Sequence, residues 1–430
     1  MSRGGARPGS GRNAIKGKEL KIKIPDEIFE QLEINFTGKS VQERIRECLE
    51  YGIKVKLSDN SNIISKKYNV VDLFSGAGGL SRGFMDAGFN VVLGIDNDDA
   101  SLKTFRENHG HADSMKLDLY DHNNITKIED YLVNKNIELD VLVGGPPCQG
   151  FSLAGKREEF DQRNILYVSM VKTAKLLKPK VVVLENVPGM LTLYNGAGAK
   201  RVKEDFEKIG YKVEKPRILY APEFGVPQIR KRVFFVMTLK NSIKGDFSYP
   251  ESELNESEYI TTKDAIDDLP SLVNCVDYSL NQKWEYLSKP NSIYQEVMRK
   301  NSIEIYNHIP TNHTQQTIDL IKLVPEGKNY KSLPQEILDT RIFKYNEALT
   351  RYHSNKPSRT IDTGHRTHFH YKWNRIPTVR ENARLQSFPD DFIFYGNKQD
   401  QYRQVGNAVP PLLGKAVATK VKELLDSEKI

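Results

Sequence analysis

The chain has little cysteine, no long apolar run and almost no charge imbalance outside one short segment. Its 430 residues contain three cysteines, Cys48, Cys148 and Cys275. An odd, widely spaced set excludes a disulfide framework and fits a reducing compartment. No stretch approaches the roughly 20 apolar residues that cross a bilayer. The basic start MSRGGARPGSGRN lacks a following hydrophobic segment, which argues against a secretory signal. No set of Cys and His has the spacing of a zinc site. GxGxxG is absent, and no Gly-rich turn ends in Lys-Ser or Lys-Thr, so neither a dinucleotide nor ATP is favoured. What remains is a globular composition, with 38% apolar and 28% charged residues.

The net charge of +7 comes from 63 basic and 56 acidic residues. Met1 to Ile24 holds seven Lys or Arg against one Glu, so nearly the whole excess lies there. Residues 1–18 read as a disordered basic arm suited to a polyanion. A small module over 19–60 follows. LKIKI at 20–24 alternates like a strand, and Pro25 opens a helix. Gly38 breaks that helix; Ser40 and Glu43 form a capping box for the next. Val41, Ile45, Cys48 and Leu49 fall near one face, and Gly52 stops the helix.

From Asn69 the rhythm changes. YNVVDLF, NVVLGID, LDVLVGG, PKVVVLENV and KRVFFVMTL are continuous apolar runs separated by helical segments, notably LSRGFMDAG and 165–177. This predicts an α/β fold with a parallel sheet covered on both faces, with its chemistry at the C-terminal strand ends. Residues 241–375 are polar and irregular and read as a smaller domain. The sheet domain returns over 376–430, ending in a helix that starts at Pro410 or Pro411.

Two strand ends carry chemistry. DLFSGAGGLSRGF makes a tight turn through Gly76, Gly78 and Gly79, with Phe74 placed to pack on a purine. Asp96 ends the second strand about 20 residues later, where an acid can hold ribose hydroxyls. Asp118 can bond an adenine amino group or cap a helix. A ligand with adenine and ribose but no phosphate fits, and S-adenosylmethionine is such a ligand. GGPPCQGFS places Cys148 after two prolines at a buried strand end, as a held nucleophile or a small buried thiol. Glu185 and Asn186 end the next strand. Gln228, Arg230 and Arg232 alternate in QIRKR, on one side of an extended segment.

The ordered motifs DLFSGAGG, GID, GGPPCQGFS, DQRNILY, ENV, QIRKR, RENARLQSFPD and QVGNAVPP closely resemble the DNA (cytosine-5) methyltransferases of bacterial restriction–modification systems. The resemblance covers about 69–425. It implies a Rossmann-like methyltransferase domain at 69–240 and 376–430, with a target-recognition domain at 241–375. Cys148 would attack carbon 6 of a flipped cytosine, and Glu185 would meet nitrogen 3 and the amino group. Arg230 would approach the base carbonyl and Arg232 hold the loop, though the sequence leaves their order open. Phe74, Gly76, Gly78, Asp96, Asp118, Pro146 and Asn407 would hold the cofactor S-adenosylmethionine, with no metal. Asp96 and Asn97 depart from a common Glu followed by a large apolar residue. Residues 149–163 would form a closing loop using Lys156, Arg157 and Arg163.

The resemblance further implies a double-stranded DNA substrate and a separate restriction endonuclease as functional partner. The expected location is the cytoplasm, at the nucleoid when DNA is bound, with no membrane association. The catalytic domain would act as a monomer. The strand–helix–helix at 19–60 resembles a ribbon–helix–helix DNA-binding module, which would pair with a second copy and face DNA with Lys21 and Lys23. His353, His365, His368 and His370, among Arg and aromatics, would make groove or phosphate contacts. A tRNA cytosine-5 methyltransferase shares the motif set and is the first alternative. A non-catalytic DNA-binding regulator, the second, would be expected to lose Cys148 or Glu185.

Overall fold

The computed structural model describes residues 67–147, 166–192, 196–272, 279, 282–340, 348–364 and 367–428, and within the N-terminal part Ser40, Val41, Arg44 and Ile45. The chain divides into two compact units, Met1–Lys66 and Lys67–Ile430. In the first, Val41, Arg44 and Ile45 are helical, and the Arg44 N–H donates to the Ser40 carbonyl at 3.0 Å. The basic arm, the strand at 20–24, Cys48 and Gly52 lie outside the described residues.

The second unit is built on an eight-stranded sheet. Its strands are β1 (Asn69–Leu73), β2 (Asn90–Asp96), β3 (Asp113–Lys116), β4 (Val141–Gly144), β5 (Val181–Asn186), β6 (Tyr211–Val213), β7 (Arg217–Tyr220) and β8 (Lys231–Leu239). Their order is β3-β2-β1-β4-β5-β8-β6, with β7 also on β8. β1 to β5 run parallel, as expected. β8 does not. It pairs antiparallel with β5 from Val181↔Thr238 to Asn186↔Val233, and β6 and β7 run antiparallel to β8. The sheet is therefore mixed. A strand buried on both faces is apolar throughout whichever way it runs, so KRVFFVMTL could not declare its direction.

Helices cover both faces. Val70, Val143 and Val183 point into one cluster with Leu80, Phe84, Leu413 and Val417. Their neighbours Val71, Leu142 and Val182 point into the other, with Ile128, Met170 and Phe206. The period of two along each strand thus feeds two cores at once. On the first face lie α1 (Gly79–Asp86) and the terminal helix, which starts at Pro411 and ends at Ser427. They touch backbone to backbone: a Cβ on Gly83 would come within 2.5 Å of the Lys415 nitrogen. On the second lie helices Ile125–Asn134, Leu166–Leu177 and Ala197–Lys208.

A third cluster joins the irregular stretch to the returning one. It packs Ile266, Tyr294 and Met298 against Ala383, Leu385 and Phe388. The stretch itself holds short helices, Thr262–Ile266, Ile293–Arg299 and Gln315–Lys322, and two-residue strand pairs. The return begins at helix Val379–Leu385. Thr378 caps it in a complete capping box with Glu381.

Candidate active site

A cavity of about 610 Å³ opens at the C-terminal ends of β1, β2, β4 and β5. Phe74, Gly76, Asp96, Asp118, Pro146, Asn407, Glu185 and Arg232 all line it. Parallel strands end on one edge, so residues distant in sequence converge there. Cys148 lies outside the described residues, as do Gly150, Gly155, Lys156, Arg157 and Arg163. Pro147, the residue before Cys148, is in the cavity wall.

The turn after β1 is backbone-strained at a bulky residue. Phe74 has φ 59°, a left-handed conformation uncommon for a residue with a bulky side chain. The Gly76 N–H donates to Asp96 Oδ2 at 2.9 Å. Asp96 Oδ1 accepts from Asn97 N–H at 2.8 Å and Asp98 N–H at 3.0 Å. A carboxylate offers about four lone-pair positions, so three are held within the protein. Burial pushes the Asp96 carboxyl up from its ordinary value, and these backbone donors oppose the rise. Asp118 Oδ1 accepts the Tyr120 N–H at 3.0 Å. Ser75 lines the cavity, and its buried Oγ has no hydrogen-bond partner among the described residues. This mix of an aromatic ring, two acids, free polar atoms and a Gly-rich turn suits a nucleoside without phosphate.

Gly78 is placed differently from expectation. It does not line the cavity but faces away from it, φ 92°, against His109, whose Cε1 would lie 2.2 Å from an added Cβ. Its carbonyl sits 3.0 Å from His109 Nε2. The glycine is there for the ring behind the turn, not for the ligand in front.

At the other end of the cavity, Arg232 Nε pairs with Glu185 Oε1 at 2.8 Å. Glu185 is 7% exposed. Burial raises its carboxyl above the ordinary range, while the Arg232 and Arg230 charges hold it down. Gly145 makes room: a Cβ there would meet Glu185 Oε2 at 2.9 Å. Asn186 Nδ2 donates to the Pro146 carbonyl at 3.1 Å, tying the Pro-Pro segment to the end of β5.

The two arginines stand in the opposite places to those first expected. Arg230 is 1% exposed and absent from the cavity wall. Its guanidinium donates to the carbonyls of Gly406 at 2.9 Å, Ala408 at 3.1 Å and Ile361 at 3.3 Å. It braces three segments from behind. Arg230 stands just before β8, which begins at Lys231, and its carbonyl still accepts the Ala221 N–H at 2.9 Å. Gln228 joins the brace, with Oε1 accepting the Ile361 N–H at 3.0 Å.

The histidine-rich stretch also differs. His368 and His370 are buried, His370 beside Glu381 at 3.5 Å, so neither is presented to a groove. Aromatic and apolar neighbours on that segment form the third cluster, and the histidines fill it. His353 keeps a partly exposed side chain 3.7 Å from Glu326, and His365 lies outside the described residues. Among the described residues no three His, Cys, Asp or Glu converge as a metal site.

Asp72 and the Arg403–Asp98 pair, 2.9 Å apart, belong to the cavity and were not singled out from sequence. Asp72 was visible as the only charged residue in an otherwise apolar strand. Arg403 carried no signal, because Asp98, its partner in the cavity, is 305 residues away.

The mixed sheet with a nucleoside-sized cavity at its strand ends defines an α/β methyltransferase-type domain. Residues 68–423 match the family model "C-5 cytosine-specific DNA methylase", and the chain belongs to that family. It is 38% identical over 366 residues to the type II methyltransferase M1.HphI of Haemophilus parahaemolyticus, covering 83% of this chain and 87% of that one. It is 36% identical over 377 residues to M.DdeI of Desulfomicrobium norvegicum, covering 82% and 88%. Among solved structures it resembles a putative DNA modification methyltransferase of an Escherichia coli prophage. There the TM-score is 0.69 at 25% identity, covering 84% of this chain and all of the other. The chain is thus a DNA (cytosine-5) methyltransferase that uses S-adenosylmethionine. No helix among the described residues is long and apolar enough to cross a membrane.

The strained Phe74 gives a direct check on the cofactor end. Phe74→Ala keeps the unfavourable backbone and removes the ring. Base–aromatic stacking contributes about 1–3 kcal/mol, so the cofactor Kd should rise about tenfold. Calorimetric titration measures it; an unchanged Kd would place the adenine elsewhere.

Proposed function

We propose that this chain methylates one cytosine within a short specific duplex sequence, with Cys148 as nucleophile and the Glu185–Arg232 pair as the base-holding group. The observation that carries the reading is that pair, 2.8 Å apart in the cavity wall that also holds Asp96 and Pro147. Cytosine carbon 5 is a weak nucleophile within an aromatic ring. Cys148 thiolate adds to carbon 6 and breaks the aromaticity, leaving carbon 5 enamine-like; once carbon 5 is methylated, its proton passes to water and the thiolate is expelled from carbon 6, which restores the ring. Glu185 donates to or accepts from nitrogen 3 and the exocyclic amine, stabilising the charge that develops there. Arg232 fixes the Glu185 carboxyl and has donors left for the base carbonyl. S-adenosylmethionine supplies the electrophilic methyl group when bound. Phe74 packs on its adenine, Asp96 takes a ribose hydroxyl, Asp118 bonds the adenine amine, and Pro146 and Asn407 line its methionine end. Arg230 is a positioning residue that aligns the Gln228–Arg232 segment with the Gly406–Ala408 wall.

Bisulfite sequencing of duplex DNA after incubation with the enzyme and S-adenosylmethionine tests the reading. Methylation confined to one short recurring sequence supports it; methyl transfer to tRNA and not to DNA would overturn it. Glu185→Gln keeps shape and loses charge and proton. Removing one such stabilising donor costs about 10²-fold in kcat. Loss confined to KM for DNA would instead make Glu185 a binding residue.

Residues 241–375 serve as the target-recognition segment in this reading. Relatives named as type II methyltransferases support a functional pairing with a restriction endonuclease of the same specificity. The strand–helix–helix pattern at 19–60 and the +6 arm support a second DNA-binding module of the ribbon–helix–helix kind, which dimerises and controls the enzyme's own gene. Deleting 1–60 should abolish binding to its own promoter and spare methylation; intact promoter binding would sink this role.

A further inference from the structure

Two carboxyl groups in the cavity wall, Asp72 and Asp98, have no part in the proposed mechanism; Asp98 pairs with Arg403, and Asp72 does not. Asp72, on β1, is 1% exposed yet lines the cavity. Ser81 in the first turn of α1 donates its hydroxyl to Oδ2 at 2.7 Å. The charged groups that bear on Asp72 from the packed elements are Asp96 on β2 and Glu185 on β5, and both are acidic. Glu185 has Arg232, and Asp96 has three backbone N–H groups. Asp72 has Ser81 and no ion pair among the described residues. Burial therefore pushes its carboxyl up to about 7. A buried carboxylate of this kind is costly until a cation arrives.

Where that cation comes from follows from position. Asp96 faces the ribose, and Glu185 faces the target base. In the sheet β1 lies between β2, which ends in Asp96, and β4 and β5, the latter carrying Glu185, so Asp72 stands in the cavity wall between the ribose end and the base end. Resting on the assignment of this cavity to S-adenosylmethionine, we infer that Asp72 is the counter-charge that selects the sulfonium cofactor over its neutral product, S-adenosylhomocysteine, and that it releases a proton as the cofactor binds. The proton passes from the Asp72 carboxyl to bulk water on binding. It returns once the methyl has left and the sulfur is neutral, so the Asp72 carboxylate does not remain uncompensated. Adenine, ribose and the amino-acid end are common to both molecules and cancel in the comparison. The sign is fixed: cofactor binding strengthens as pH rises through about 7, and product binding gains less.

Calorimetric titration of the full chain with each molecule, at pH 6 to 8 and in two buffers of different ionisation enthalpy, tests this. Wild type should release more protons with S-adenosylmethionine than with S-adenosylhomocysteine near pH 7. Asp72→Asn should remove that difference and weaken cofactor binding about tenfold relative to product, the equivalent of one unit of pKa shift. An unchanged affinity ratio, or an equal loss for both molecules, overturns the proposal. Asp96→Asn separates its failure from failure of the site: it should weaken both molecules alike. If neither variant affects either molecule, the cavity is not the cofactor site. Should Asp72→Asn fail to fold, Ser81→Ala decides. It removes a donor that favours the carboxylate, so the pH midpoint of cofactor binding should move upward; an unmoved midpoint overturns the proposal.

Discussion

Cys148→Ala should abolish methyl transfer, by about 10⁴-fold or more, while binding of DNA and cofactor persists. The size follows from the chemistry. Without addition at carbon 6 the ring stays aromatic and carbon 5 has almost no nucleophilicity. The remaining groups can hold the base but cannot change its electronic state. Its described neighbours are in place: Pro147 is in the cavity wall, and Asn186 holds the Pro146 carbonyl. Duplex DNA carrying 5-fluorocytosine gives the sharpest readout. Fluorine cannot leave as a cation, so the cysteine adduct is trapped after methylation. Wild type should form a denaturant-resistant DNA complex, and Cys148→Ala none. A trapped complex in the alanine variant would assign the nucleophile to another residue. Labelled tRNA in parallel excludes the RNA reading if it takes up no methyl group.

Much of this architecture was legible in the sequence, and what was not has physical causes. The five apolar runs all became strands, because a strand buried on both faces has no polar positions to confuse it. β3, DSMK, is a half-exposed edge strand, and β6 and β7 are three and four residues long. Neither kind offers a periodicity to read. The direction of β8 was hidden for the reason its identity was plain: from Val233 to Met237 it is apolar and buried without a break. DLFSGAGG, GID, GGPP and ENV located the cavity because each sits at the C-terminal end of a parallel strand, and those ends share an edge. Roles within a motif were harder. Arg230 and Arg232 are the same residue type two positions apart. The fold sends one to Glu185 and the other to the carbonyls of Gly406 and Ala408, and nothing in their residue type distinguishes them. Gly78 looked like cavity space because glycine signals room, and the sequence could not say that His109 takes that room.

The motif RENARLQSFPD has a structural task, and Arg384→Met should show its size. Arg384 is fully buried and holds two carboxylates at once. Its Nε and Nη2 reach Asp390 at 2.6 Å each, and Nη1 reaches Asp268 at 3.1 Å. Nη1 also donates to the Ala265 carbonyl at 2.9 Å. Asp268 belongs to the irregular stretch at 241–375 and Asp390 to the returning one, so a single guanidinium joins them. Methionine fills similar volume but leaves buried negative charge. Breaking such a pair costs about 3–5 kcal/mol, far above the effect of a surface pair. Arg380 remains 3.8 Å from Asp390 and Arg299 remains 3.3 Å from Asp268, which favours the lower end. The pH dependence distinguishes lost charge pairing from lost packing. In wild type the Arg384 and Arg380 charges outweigh the desolvation that opposes them and hold the Asp390 carboxyl below its ordinary value. That contribution is present above about pH 4 and is lost as pH falls through the folded-state value. In the variant the carboxyl can protonate more easily, so the stability gap between the two proteins should narrow on acidification from pH 7 toward 4. Urea denaturation at both pH values measures it. A gap that is small, or that stays constant with pH, would mean that the two aspartates are not held by this charge.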